Sequence, residues 1–138
     1  MLNITIPGKP IAKTRPRFAR RGKHVVTYND QETEEGKVYL LVREQVKRPP
    51  LKGPIDLWVK FFMPIPKSTS KKNREAMEYG LIRHTKRPDL DNLIKFIKDI
   101  FNGLVWKDDS QVCHIEAVKR YGKEPRTEVR IFADNDDV

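Results

Sequence analysis

The chain has 138 residues, room for one domain spanning 1–138 and not for two, and is long enough to bury roughly two thirds of its unfolded surface without disulfide or metal staples. Its 28 Lys and Arg outnumber 19 Asp and Glu for a net charge of +9, and no acidic residue precedes Asp30, so a polyanionic partner is indicated. A lone cysteine excludes an intrachain disulfide framework, no apolar run approaches the ~20 residues of a membrane span, and no signal-peptide pattern opens the chain; a soluble protein of the reducing cytoplasm is expected.

Leu2, Ile4 and Ile6 alternate with polar residues and predict a first strand, which Pro7-Gly8 ends. The Pro-punctuated basic segment from Lys9 to Val26 reads as extended chain doubling back in a hairpin. Asn29 or Asp30 can cap a helix whose acidic first turn suits its dipole, with Val38, Leu41, Val42 and Val46 as its apolar face and Pro49-Pro50 beyond its end. Ile55, Leu57, Val59, Phe61 and Met63 alternate with Asp56, Trp58, Lys60 and Phe62, the pattern of a core-facing strand. A Pro/Ser/Lys-rich loop over 64–74 then runs into a short helix stopped by Gly80.

The next helix is predicted from about Asp91 to Asn102, with Leu90, Leu93, Ile94, Ile97, Phe101 and Leu104 on one stripe and Asn102-Gly103 as its cap. Phe96 and Ile100 fall off that stripe and suit either a dimer interface or a helix buried all round. Two strands close the chain, about Val112–Tyr121 and then Thr127 to Ala133, before an acidic tail expected to be frayed. Cys113, alternating with Ile115 and Ala117, should pack as a small apolar residue. The mixture reads as α/β or α+β: one sheet with helices packed on it.

The chemistry concentrates between residues 84 and 110. Pro88 keeps the chain extended into Asp89, and Asp89 and Asp91, two apart, fall on one side of extended backbone. Asp91 can also open the helix, where partial positive charge favours an ionised carboxylate. Two adjacent anions repel, and a divalent cation relieves the repulsion. After the helix come Trp106-Lys107 and Asp108-Asp109-Ser110. A helix and a returning strand packed antiparallel would bring this second acidic pair back to the first, giving an oxygen-ligand site suited to Mg2+ or, as a substitute, Mn2+. Taken singly, a DxD pair is also a common helix cap and Asp-Asp-Ser a good turn. Lys95, four residues after Asp91, either forms a helical ion pair or stabilises charge on a phosphate. Trp106 could stack on an unpaired base or pack between helix and strand. His84 could contact phosphate or be a polar strand residue.

The run KRPDLDNLIKFIKDIFNGLVWKDDSQV, residues 86–112, resembles the signature of the RusA family of Holliday junction resolvases, small phage and prophage endonucleases that act as homodimers. Ile6 to Pro10, Lys13 to Arg17, Pro66 to Ser68 with Lys71-Lys72, and Lys119 to Tyr121 resemble further family features in the same order. The resemblance implies that Asp89, Asp91 and Asp109 bind Mg2+, with Asp108 able to exchange roles with its neighbour, and that Lys95 is the lysine needed for cleavage. It further implies an intertwined dimer with a mixed sheet and two active sites on a basic face, matched to the approximate two-fold symmetry of a four-way junction.

Phosphate neutralisation is assigned to Lys13, Arg15, Arg17, Arg20, Arg21, Lys71, Lys72, Arg74, Lys86 and Arg87. A restriction-like PD-(D/E)xK site fits less well: Glu116 and Lys119 are three apart and would fall on opposite faces of a strand. A non-catalytic binder of branched or single-stranded DNA, with a structural acidic cluster, is the competing reading. The scattered histidines do not make a zinc or HNH site, and with no Gly-rich phosphate loop a nucleotide cofactor is not expected.

Overall fold

A computed structural model describes the backbone of residues 1–14, 17–21, 24–28 and 32–134, and the side chains of 1–14 and 32–134. Four strands form one mixed sheet in the order β1-β6-β4-β5: β1 (Leu2–Pro7), β4 (Ile55–Pro64), β5 (Val112–Gly122) and β6 (Arg126–Ala133). The expected basic hairpin is present as a separate ribbon, β2 (Arg17–Arg21) against β3 (His24–Tyr28), with Arg21 opposite His24. Three helices complete an α+β fold: α1 (Glu32–Gln45), α2 (Lys71–Glu78) and α3 (Leu90–Phe101).

Alternation in β4 sends Ile55, Leu57, Val59, Phe61 and Met63 into the core and leaves Asp56, Trp58, Lys60 and Phe62 on the other face. Ile4, Ile6, Val129 and Ile131 extend the inward face, and α1 and α3 supply its cover through Val38, Val42, Leu93, Ile97 and Phe101. Burial of side chains of this size, at about 1.5–3 kcal/mol each, is what holds helices to sheet. β4 and β5 run parallel, so their connection must cross from one end of the sheet to the other; α2 and α3 make that crossing.

Of the two alternatives for Phe96 and Ile100 the structure selects the core: they are 2% and 6% exposed, because α3 touches both the sheet and α1 and is buried over a wide arc. Other expectations need correction. Leu41, expected on the buried face of α1, is 39% exposed. Cys113 is exposed: it lies near the start of β5, an edge strand of the sheet whose residues 113–116 are all exposed. Asn29, Asp30 and the tail from residue 135 lie outside the described residues.

Candidate active site

Asp89 is the N-cap of α3, with φ −69° and ψ 143°, and its side chain makes no capping hydrogen bond. An N-cap aspartate normally spends a carboxylate oxygen on the free amides of the first turn. Here the exposed carboxylate is left open. Asp91 follows in the first turn and Lys95 one turn later, both exposed. Among the described residues neither forms an ion pair, although their spacing allows one. The other acidic neighbour of Lys95 on this stripe is taken: Asp99 Oδ2 lies 3.0 Å from Lys13 Nζ, which is also 2.9 Å from Glu35 Oε1. The hydrogen bond that Lys13 donates to Glu35 raises the Lys13 pKa, assisted by Asp99. The Lys13 amide bonds to Asn92 O at 2.9 Å, so the N-terminal segment is fastened along α3.

At the other end of α3, Asn102 caps the helix and Gly103, at φ 79°, turns the chain in the left-handed region open to glycine. The turn inserts Trp106 fully into the core, edge-on to Phe101 at 5.5 Å, which settles its role as packing. Its Nε1–H donates to Asp109 Oδ1 at 2.8 Å, and Asn102 Oδ1 accepts from the Asp109 amide at 3.1 Å. Asp108 is the cap of a 3-10 turn, Asp109–Gln111; its Oδ2 accepts from the Ser110 amide at 2.9 Å and from the Ser110 hydroxyl. The hydroxyl, with the amide behind it, holds the Asp108 carboxyl below the usual range. The two acidic neighbours are thus distinct: Asp108 builds the turn, and Asp109 is aimed by a buried indole.

The second acidic pair does not return to the first. The chain turns at Gly103, Trp106 bridges back to Asn102, and the Asp109 amide bonds Asn102 Oδ1, so Asp108 and Asp109 remain at the C-terminal end of a 12-residue helix. Asp89 and Asp91 lie at its N-terminal end, about 18 Å away at 1.5 Å per residue. Among the described residues, no group of three or more His, Cys, Asp or Glu could hold a metal ion. Within one chain the expected oxygen-ligand centre is not assembled.

The part of β5 that does reach Asp89 is Lys119, whose ammonium donates to Lys86 O at 2.6 Å and Pro88 O at 2.9 Å. The sequence assigns this residue no role, naming it only within the family-like run Lys119 to Tyr121 and for its distance from Glu116. The signal was available: in a strand whose inward positions run Cys113, Ile115, Ala117, Lys119, Tyr121, a lysine on that side is out of pattern. Glu116, opposite Trp58, is on the outer face, so no PD-(D/E)xK arrangement forms. His84 is a loop residue whose ring packs at a tilt against Tyr121, 4.8 Å between centroids, its Nδ1 buried with no hydrogen-bond partner among the described residues. Burial lowers its pKa, and the charge of Lys119 lowers it further.

A groove of about 980 Å³ opens beside Asp89, with Lys9, Lys13, Lys37, Arg87 and Asn92 in its walls. Of the residues assigned to phosphate, Lys71, Lys72, Lys86 and Arg87 are exposed, whereas Lys13 is committed to two carboxylates. Arg74 is half-buried and braces the preceding loop through Pro66 O at 3.3 Å. Arg15 and the side chains of Arg17, Arg20 and Arg21 lie outside the described residues. Among the described residues no helix is long and apolar enough to cross a membrane.

The family model described as Endodeoxyribonuclease RusA matches residues 7–132, from the end of β1 to the end of β6. The uncharacterized protein YqaN of Bacillus subtilis (strain 168) is 40% identical over 134 residues, with 94% of each chain covered.

Proposed function

The chain belongs to the RusA endodeoxyribonuclease family, and on that premise we propose that it is a structure-selective endonuclease that resolves Holliday junctions by paired symmetric nicks, with Mg2+ as cofactor. The observation that carries this reading is the α3 entrance: two exposed carboxylates, Asp89 without its capping bond and Asp91 without an ion pair among the described residues, stand within about a turn of Lys95, likewise without an ion pair among them, and beside a groove with basic walls. Carboxylates of a purely structural cap would be spent on amides or lysines.

With Asp109 about a helix length from Asp89, a site that uses both carboxylates is completed by a second copy. In an isologous dimer whose two α3 helices run antiparallel across the two-fold axis, the Asp109 end of one meets the Asp89 end of the other, and two identical sites result. Those sites would sit about one helix length apart, on symmetry-related strands of a four-way junction. Each would join Asp89 and Asp91 of one chain to Asp109 of the partner, an all-oxygen set of the kind hard divalent cations take. Mg2+, when bound, supplies Lewis-acid stabilisation of the phosphate. The chain itself orients the attacking water through Asp91 and offers the Lys95 ammonium to charge building on the non-bridging oxygens. Exposed lysines and arginines hold the junction by its phosphates without reading sequence.

The lack of an assembled centre within one chain gives the non-catalytic binder its best support. A synthetic four-way junction and a linear duplex of the same sequence, incubated with Mg2+ and with EDTA, separate the two. Paired nicks in the junction with Mg2+ alone are expected. Binding without nicking in either Mg2+ or Mn2+ would establish the binder instead.

A further inference from the structure

Lys119 occupies a place where a lysine is costly. It lies opposite Phe61 on the inward face of the sheet, one position from buried Tyr121 along that face. Burying its stem there orders a side chain that would otherwise be free in water. What it obtains is a pair of charge-assisted hydrogen bonds to the carbonyls of Lys86 and Pro88, at 2.6 and 2.9 Å. These carbonyls belong not to the extended chain expected from the sequence but to a bend outside helix and strand, with a cis Arg87–Pro88 peptide, and they flank Arg87, immediately before Asp89. The next residue of β5, Arg120, points to the other face and donates to Glu78 O at 2.8 Å. Two consecutive side chains of one strand therefore fasten both ends of the connection between α2 and α3.

The consequence falls on Asp89. Its carboxylate has no capping bond to orient it, so its place is set by its backbone alone. On the helix side that backbone is held by the Leu93 amide, bonded to Asp89 O at 3.2 Å. On the entering side the hold is Lys119, reaching across from a strand 31 residues away in sequence. We infer that Lys119 is a positioning residue for cleavage: its ammonium pins the Lys86 and Pro88 carbonyls and thereby fixes the Asp89 carboxylate in the active site. Displacement of a reacting group by about 1 Å costs on the order of a hundredfold in rate, so a backbone clamp next to Asp89 has kinetic weight. The inference rests on the nuclease reading for its effect on rate but not for the clamp itself.

Lys119→Met keeps the apolar stem and removes the donors. In single-turnover cleavage of a synthetic four-way junction with Mg2+, the rate should fall tenfold or more while the dissociation constant for the junction stays within threefold. In the free protein, amide exchange at Leu93 should quicken at least tenfold while Asn102, at the far end of α3, is unchanged. Lys119→Cys in a Cys113→Ser background, aminoethylated to rebuild an ammonium of nearly the same reach, should recover both the rate and the protection. If Lys119→Met does not fold, Lys119→Gln is read by the same criteria. A folded variant that cuts within threefold of the wild type, or that slows only as its junction affinity weakens, overturns the positioning role. Faster Leu93 exchange in the variant, together with a wild-type protein that cuts no junction, would instead keep the clamp and remove the nuclease reading.

Discussion

The indole of Trp106 donates from Nε1 to Oδ1 of Asp109 at 2.8 Å, and this contact distinguishes Asp109 from the carboxylate beside it. Trp106 is fully buried, so Asp109 is aimed by a group that cannot move without disturbing the core. Asp108, by contrast, uses its Oδ2 within its own turn. Asp109→Asn should abolish junction cutting while retaining junction binding. Asp108→Ala should lower the melting temperature modestly and leave the rate within threefold. Trp106→Phe, which keeps most of the packing and removes the donor, should fall between them, with at least a tenfold loss of rate. Equal losses from Asp108→Ala and Asp109→Asn in single-turnover assays would remove the distinction.

Because Asp89 and Asp109 sit at opposite ends of α3, a site shared between two copies makes a specific claim about mixtures. Asp89→Asn and Asp109→Asn should each be inactive alone. When the two are mixed and allowed to exchange subunits, the heterodimer has one site with both substitutions and one with neither. Nicking should return, to at most half the wild-type rate per dimer, as single nicks rather than paired ones. A mixture that stays inactive although mass measurement shows heterodimers would mean that the carboxylates act within one chain.

Lys13 and Lys71 look alike in the sequence as phosphate ligands, yet Lys13 bridges Glu35 and Asp99 with its side chain 28% exposed. Its charge is already neutralised. Lys13→Met should cost about 1 kcal/mol or less, given partial solvent screening, and leave the salt dependence of junction binding unchanged. Lys71→Ala should shrink the slope of log K against log salt by about 0.9, the release expected from one phosphate contact. A slope reduced by Lys13→Met would return that residue to the DNA surface.

Most of the sheet was legible because its strands obey a period of two with one face buried, as Ile55 to Met63 show. The α3 stripe was legible in part. The periodicity located Leu93, Ile97 and Phe101 but left Phe96 and Ile100 open, since a second covering layer from α1 is not encoded in the helix itself. The acidic residues were identifiable by type and spacing. Their distribution in space was not, because it depends on where the chain reverses: Gly103 and the burial of Trp106 complete the turn before Asp108, whereas a later reversal would have carried the pair back toward Asp89. Lys119 has no local signature beyond being inward, and its partners lie 31 and 33 residues away.

His84 gives the stability a sign with pH. Its imidazole is held below the ordinary value of 6.5, by burial first and by Lys119 second. The unfolded chain therefore takes up this proton first as pH falls. The stability contributed by neutral His84 is complete above about 6.5 and is lost as the pH drops through the lower folded value. The melting temperature should decline between about pH 7 and pH 5, and His84→Phe, which keeps the ring against Tyr121, should flatten that decline. Parallel melting curves for the two proteins across this range would assign the acid sensitivity to other groups.

Lys95 is where a structural and a catalytic role part most clearly. Its spacing from Asp91 suits a helical ion pair, and its spacing from Asp99 suits another, but Asp91 is not in contact and Asp99 is held by Lys13 at 3.0 Å. An exposed lysine with no ion pair among the described residues contributes little to folding, and Ala is the better helix former, so Lys95→Ala should change stability by less than about half a kcal/mol. A charge aimed at the scissile phosphate carries a different scale: removing one preorganised electrostatic contact costs roughly a hundredfold or more in rate. The expected result is a Lys95→Ala protein that melts like the wild type, binds the junction nearly as well, and cuts at least a hundredfold more slowly. Lys95→Arg, which keeps the charge but spreads it over a planar fork of different reach, should recover only part of the rate. Thermal melting, a binding titration and single-turnover cleavage on the same preparation decide the matter, and a stable Lys95→Ala protein that cuts within a few-fold of wild type removes Lys95 from the chemistry.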